Sequence, residues 1–225
     1  MKWDKDAFYD FIKIQNVIGF FKEPIKLKSG RLSYWYVNWR NITSDVFLSD
    51  LLTDYIISFI KDLELNPKCF FGVPEGATKL GIITQFKWAK MQKNFGSESY
   101  TLSMGRGKQK SHGEPKDRFF LGIPDGDTII LEDVTTTGGS LIGTIEKLRS
   151  LKVKVIAAIG LTNRNELRDD GKSVEEKILE QNVQYYTMSN AFDLLPQLNM
   201  NKEIAKNIEE YFKKYGTKQI KLNTK

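Results

Sequence analysis

Apolar positions recur at three- and four-residue intervals in two stretches near the start of the chain. Residues 4–18 place Phe8, Phe11, Ile12 and Ile18 near helical spacing, while Leu48, Leu51, Leu52, Tyr55, Ile56, Phe59, Ile60 and Leu63 keep the rhythm closely. Both predict helices, the second capped by Ser44 or Asp45. Between them, residues 25–27 and 34–37 flank the polar run Lys28-Ser29-Gly30-Arg31, the pattern of two short strands around a turn. Further on the periodicity disappears. Cys69-Phe70-Phe71-Gly72-Val73, bounded by Pro67 and Pro74, then Thr128-Ile129-Ile130-Leu131, then residues 153–161 are short apolar runs of the kind buried on both faces of a sheet. A helix carrying Leu80, Ile83 and Phe86 is expected after the first run, and another over residues 141–151 after the second. Strands alternating with helices predict an α/β domain with a central parallel sheet flanked by helices, and ligands at the carboxyl ends of its strands.

The chemistry is concentrated at one of those ends. After Leu131 comes Glu132-Asp133-Val134-Thr135-Thr136-Thr137-Gly138-Gly139-Ser140, and then a helix. Glycines let the backbone approach an anion closely, hydroxyls donate to it, and the first amides of the helix point at it with a favourable dipole. Adjacent strand residues face opposite ways, so one carboxylate can meet a ligand's hydroxyls while the other supports it or approaches a metal. A phosphorylated sugar fits both halves. The plainer alternative is a capped helix behind two loop acids, but a cap needs one such residue rather than six in a row. Other phosphate and nucleophile motifs are missing. Gly76-Ala77-Thr78-Lys79 is too short for G-x-x-x-x-G-K-[ST], no G-x-G-x-x-G follows a strand, and Gly138-Gly139-Ser140-Leu141-Ile142 fails the G-x-S-x-G pattern at its last position. His112 is the sole histidine, which leaves a serine triad with little support.

Composition narrows the class. The 225 residues are 40% hydrophobic and 28% charged, ordinary for one soluble domain with a sizeable core. The longest clean apolar run, residues 155–161, is far below the ~18 residues of a membrane helix, and the first residues mix both charges without a secretory pattern, so a cytoplasmic address is the default. One cysteine, Cys69, makes no internal disulfide and no zinc cluster. Of the net charge of +6, five charges fall on Lys213, Lys214, Lys218, Lys221 and Lys225. This reads as a solvated basic tail, residues 213–225, following a single domain of residues 1–212, and argues against a nucleic-acid groove.

Residues 128–140, TIILEDVTTTGGS, resemble the phosphoribosyl diphosphate (PRPP) motif of type I phosphoribosyltransferases, with Thr135 standing where an aliphatic residue is usual. Three further matches resemble the orotate phosphoribosyltransferases within that group. They are Leu27-Lys28-Ser29-Gly30-Arg31 with Tyr34-Trp35-Tyr36-Val37, the segment from Arg106 to Glu114 containing Lys110-Ser111-His112-Gly113-Glu114, and Arg164 after the third apolar run. The resemblance spans about residues 8–195 and implies the type I fold with an N-terminal hood over residues 1–40.

The resemblance also implies roles. PRPP would lie on Glu132, Asp133, Val134, Thr135, Thr136, Thr137, Gly138, Gly139 and Ser140 and also meet Lys28 and Lys108, with Arg106, Lys110 and His112 reaching its diphosphate. Lys110 and Asp133 would be catalytic. Glu75, Gly76, Ala77, Thr78 and Lys79 match the pyrophosphate loop in position. Orotate would meet Lys28, Tyr36, Val37, Thr136 and Arg164. Physically, a planar anion suits an aromatic hairpin with a lysine beneath it and the fork of an arginine. Trp35, pointing opposite to Tyr34 and Tyr36, is expected in the core. The basic, apolar-poor stretch from Gly105 to Arg118 reads as a surface loop or as a lid that excludes water, with Gly107 replacing a common lysine and Lys108 one place along. Magnesium, held mainly by PRPP and water, and a homodimer sharing the lid are implied as well. The rival readings are a phosphoribosyltransferase for another nucleobase and a non-catalytic PRPP sensor.

Overall fold

The computed structural model describes residues 1–108, 111–112 and 119–223. Helix α1 (Lys5–Ile14) is capped by Asp4, whose carboxylate accepts from the Ala7 amide. It ends short of Ile18, because Asn16 turns the chain with φ of 50° and Ile18 opens a strand instead. That strand, β1 (Ile18–Lys26), pairs antiparallel with β2 (Leu32–Val37), so the expected hairpin forms with a longer first arm. Along β2 the side chains alternate as read: Ser33, Trp35 and Val37 are buried, while Tyr34 and Tyr36 are half-exposed. A short α2 (Arg40–Thr43) leads into α3 (Val46–Asp62), and Asp45, not Ser44, caps α3 by accepting from the Leu48 amide.

The central sheet is four parallel strands in chain order: β3 (Cys69–Gly72), the strand Thr128–Thr135, the strand Val155–Asn163 and the edge strand Gln184–Asn190. Helix α4 (Thr78–Lys90) follows β3, with Leu80 buried and Phe86 exposed. The short pair β4 (Met104–Gly105) and β5 (Phe120–Leu121) comes next, and the three later sheet strands are therefore β6, β7 and β8. Helix α5 (Gly139–Ser150) joins β6 to β7, α6 (Val174–Leu179) precedes β8, and α7 (Ala191–Leu194) and α8 (Lys202–Tyr215) end the regular structure. Strand alternation divides the core in two. Phe70, Ile129, Leu131, Ala157, Ile159 and Leu161 face a layer that includes Phe8, Trp35, Ile56, Leu80 and Phe212, whereas Phe71, Ile130 and Ala158 face Leu141, Ile145, Leu148 and Ile178.

One feature differs from the sequence reading. Residues 213–215 belong to α8, and the chain beyond it returns to the body: Thr217 donates its amide to the Asn165 carbonyl, and Ile220 and Leu222 are buried. Isoleucine and leucine in that stretch make a packed closing segment out of what its lysines suggested was a solvated tail. Cys69 is buried at the start of β3, where desolvation pushes its thiol up to about 11, as suits an inert core residue. Among the described residues no helix is long and apolar enough to cross a membrane.

Candidate active site

A cavity of about 520 Å³ opens at the carboxyl ends of β3, β6 and β7, under the hairpin. Its base is the end of β6 and the turn into α5. Gly138 precedes the helix with φ of +70°, a conformation that glycine adopts without strain. A Cβ there would lie 2.8 Å from Val174 Cγ1, so the turn also needs glycine for space. Thr136, Thr137, Gly138, Gly139 and Ser140 line the cavity, with no side chain capping the first turn of α5. Uncapped amides, hydroxyls and the helix dipole converge here in an arrangement suited to an anion.

Thr135 is the exception within the motif. Its hydroxyl is buried beneath the sheet and accepts a 2.9 Å hydrogen bond from Tyr185. Gly160 makes the room: a Cβ on it would fall 2.5 Å from the Tyr185 hydroxyl and 2.8 Å from Thr135 Oγ1. The departure from an aliphatic residue is thus matched by a buried donor on β8, and Thr135 contributes no side chain to the cavity.

Glu132 and Asp133 both line the cavity, so strand alternation does not remove either from it. Glu132 is held well above the usual carboxylate range, first by desolvation and then by the neighbouring Asp133 charge, with Lys28 opposing. Asp133 is raised by burial and drawn back by the Val134 amide, Arg40 and Lys28. Two close, desolvated acids await hydroxyl or cationic partners. Among the described residues no group of three or more acidic, histidine or cysteine side chains is arranged to hold a metal unaided. The acid pair suits an ion such as magnesium that arrives with phosphate oxygens and water and needs few protein ligands.

The hairpin closes the cavity from above. Lys28 donates to Ser140 Oγ at 2.8 Å, and Tyr36 and Val37 contribute to the wall. Trp35 is fully buried against Phe212, as expected. Arg164 also lines the cavity, yet its guanidinium is 1% exposed and heavily engaged. Nε donates to Glu166 at 2.7 Å, Nη2 to Ser33 Oγ at 3.0 Å and Nη1 to the Trp35 carbonyl at 3.3 Å, with the Trp35 ring centroid 3.7 Å from Cζ. Three of its five N–H groups are taken by these bonds. The residue is a fixed wall rather than a free fork.

The predicted pyrophosphate loop enters only in part. Pro74, Glu75 and Gly76 line the cavity, and a Cβ on Gly76 would collide with the Asp133 carboxylate, so backbone and acid are in close approach. Ala77, Thr78 and Lys79 do not line it. The Ala77 and Thr78 amides donate to the carbonyls of Val73 and Glu75, while the Lys79 amine donates to the Thr43 carbonyl at 2.9 Å, outside the site. Residues at the start of α4 are committed to helix and core.

The stretch expected to be a surface loop or lid is described at its ends. Its root is the β4 and β5 pair, extended by the Arg106 amide donating to the Phe119 carbonyl, and Gly107 abuts the Glu75 carboxylate. Arg106, Lys108 and His112 do not line the cavity in this arrangement, and Lys108 and His112 are exposed. Lys110 lies outside the described residues. Sequence reasoning missed Asn38 and Arg40, which line the cavity directly after the hairpin; Arg40 faces Asp133 electrostatically. A basic residue shortly beyond the second hairpin strand was the available signal.

Comparison with known proteins gives a consistent picture. No protein-family model matches the chain. It is 30% identical over 154 residues to the orotate phosphoribosyltransferase of Bradyrhizobium diazoefficiens, covering 65% of this chain and 77% of that protein. It is 28% identical over 229 residues to that of Agathobacter rectalis, covering 95% and 98%. The crystal structure of the Francisella tularensis orotate phosphoribosyltransferase shares the fold with a TM-score of 0.66 at 20% identity, over 94% of this chain and all of that one. The chain belongs to the orotate phosphoribosyltransferase family.

Proposed function

We propose that this chain transfers phosphoribose from PRPP to orotate, releasing pyrophosphate and orotidine 5′-phosphate in pyrimidine biosynthesis. The observation that carries the reading is the meeting, in one cavity, of the open first turn of α5, the buried Glu132 and Asp133 pair, and a base wall made of Tyr36, Val37 and the anchored Arg164. The 5′-phosphate lies on Thr136 to Ser140, the ribose hydroxyls on the two acids, and the orotate carboxylate on the remaining N–H groups of Arg164. Uracil and the purines lack that carboxylate and leave those N–H groups without an acceptor.

In the reaction the bond from the ribose anomeric carbon to diphosphate breaks and its electron pair leaves with pyrophosphate, while N1 of orotate gives up its proton to the departing pyrophosphate or to solvent and forms the new bond to that carbon. The protein positions both partners and sets fixed charge around an electron-poor ribose. Asp133 and Glu132 would stand beside a magnesium ion carried by PRPP and water, which would neutralise charge on the departing diphosphate. Lys110 and the other basic groups of the lid are proposed to cover that diphosphate and exclude water, in a homodimer with the lid shared between subunits.

The test is direct: the protein is mixed with magnesium and PRPP, orotate, uracil, adenine or hypoxanthine is added separately, and pyrophosphate is measured. Orotate alone gives turnover on this reading. Turnover with a neutral base and none with orotate would replace it with another base specificity, and PRPP binding without turnover would favour the sensor.

A further inference from the structure

Glu166 is not in the cavity, yet both its oxygens converge on elements that build it. Oε1 accepts from Arg164 Nε at 2.7 Å; Oε2 accepts from Arg31 Nη1 at 3.0 Å and from the Tyr211 hydroxyl at 2.8 Å. The carboxylate is 1% exposed, Arg164 equally so, and Arg31 only 9%. Its three donors come from the end of β7, the hairpin turn and α8, distant segments of the chain. A buried carboxylate in such a position is the sole acidic partner of the Arg164 guanidinium among the described residues, and a buried cation without its partner is strongly disfavoured.

We propose that Glu166 is the positioning residue of the base site: it fixes the Arg164 plane against Trp35 and, through Tyr211, makes the grip on the base depend on the C-terminal helix. The inference rests on the orotate reading above. Glu166 touches no substrate. It acts by holding the Nε edge of Arg164 so that the terminal N–H groups left over from Ser33 and the Trp35 carbonyl keep one direction. A base gripped by a carboxylate is the substrate most sensitive to that direction; the ribose and phosphate contacts, made by β6 and α5, are not.

Steady-state kinetics test the proposal. Orotate turnover by the natural protein is measured first and tests the functional reading alone; the ratio of variant to natural protein tests Glu166. Glu166→Gln should raise the KM for orotate about tenfold, the scale of one hydrogen bond to a charged group, with the KM for PRPP and kcat within about twofold. Tyr211→Phe, which removes one donor from Glu166 and leaves the ion pairs, should raise the orotate KM about threefold with the same selectivity. A folded Glu166→Gln protein with unchanged orotate KM, or with both KM values raised equally, overturns the proposal. Should Glu166→Gln fail to fold, Tyr211→Phe decides: an unchanged orotate KM overturns the proposal, and a selective rise supports it.

Discussion

Lys28 and Ser140, 112 positions apart in the chain, meet at 2.8 Å, Nζ donating to Oγ across the mouth of the cavity. One side chain belongs to the hairpin turn and the other to the first turn of α5, so the hairpin and the start of that helix touch directly. Lys28→Met keeps much of the stem and removes the charge. The KM for PRPP should rise about tenfold, as for a lost charge-assisted hydrogen bond, which initial rates at varied PRPP measure.

Gly76→Ala puts a methyl group into the Asp133 carboxylate. The acid or the loop must move by an ångström or so, and misplacement on that scale reduces kcat/KM on the order of a hundredfold. Melting temperature should change little, since Gly76 lies in a surface loop at the cavity. An active Gly76→Ala enzyme would show that Asp133 need not hold its present position.

The raised carboxyls make stability depend on pH in a defined sense. Glu132 has an ordinary value of 4.5 and Asp133 of 3.8, and both are higher in the folded protein. The folded state therefore binds protons more tightly, and the stability it derives from them is complete below those ordinary values and lost as pH rises through the folded ones. Glu132→Gln should remove most of that fall and leave the free protein more stable than the natural one at neutral pH, while turnover drops. Urea midpoints at several pH values check the slope; an unchanged slope would remove Glu132 as its source.

Thr135→Val restores the aliphatic residue usual at this place but takes the Thr135 acceptor from the buried Tyr185 hydroxyl, at a cost of about 1 kcal/mol in unfolding free energy. Tyr185→Phe in the same protein should recover most of the loss, because removing both partners is nearly neutral. A double-mutant cycle by denaturant unfolding reads the coupling.

Removal of residues 217–223 with the two beyond them should destabilise the protein by roughly 3 kcal/mol, from the exposure of Ile220, Leu222 and the surface they cover. Urea unfolding of the shortened chain measures the loss, and a solvated tail would come away without effect.

The hairpin, β3, β6, β7 and their connecting helices were legible because a wholly apolar run of strand length and a tight three-four spacing each suit one kind of element. Strand β8 was not: Gln184, Tyr185, Tyr186 and Thr187 lie on an edge strand, where polar residues are tolerated and the apolar run disappears. Helix α8 carried a readable pattern in Ile204, Ile208, Tyr211 and Phe212, but its lysines drew attention to charge instead. In the site, residue type singled out Glu132, Asp133, Thr136 to Ser140, Lys28, Tyr36 and Arg164, which the fold brings to one cavity. It did not reveal that Lys79 turns to Thr43 or that Arg164 is already bonded on three sides, because hydrogen-bond allegiance depends on neighbours that are remote in sequence.

Arg31 in the hairpin is held by Glu166 and Asp169 and lies over the Tyr215 ring, and the segment after α8 pairs at Gly216 with Glu166 itself. The hood is thus anchored by residues that follow it off the ribosome long after its own synthesis. A nascent chain can assemble β3, β6 and β7 as they emerge, but the hairpin over the cavity acquires its last anchors only once translation has passed Gly216.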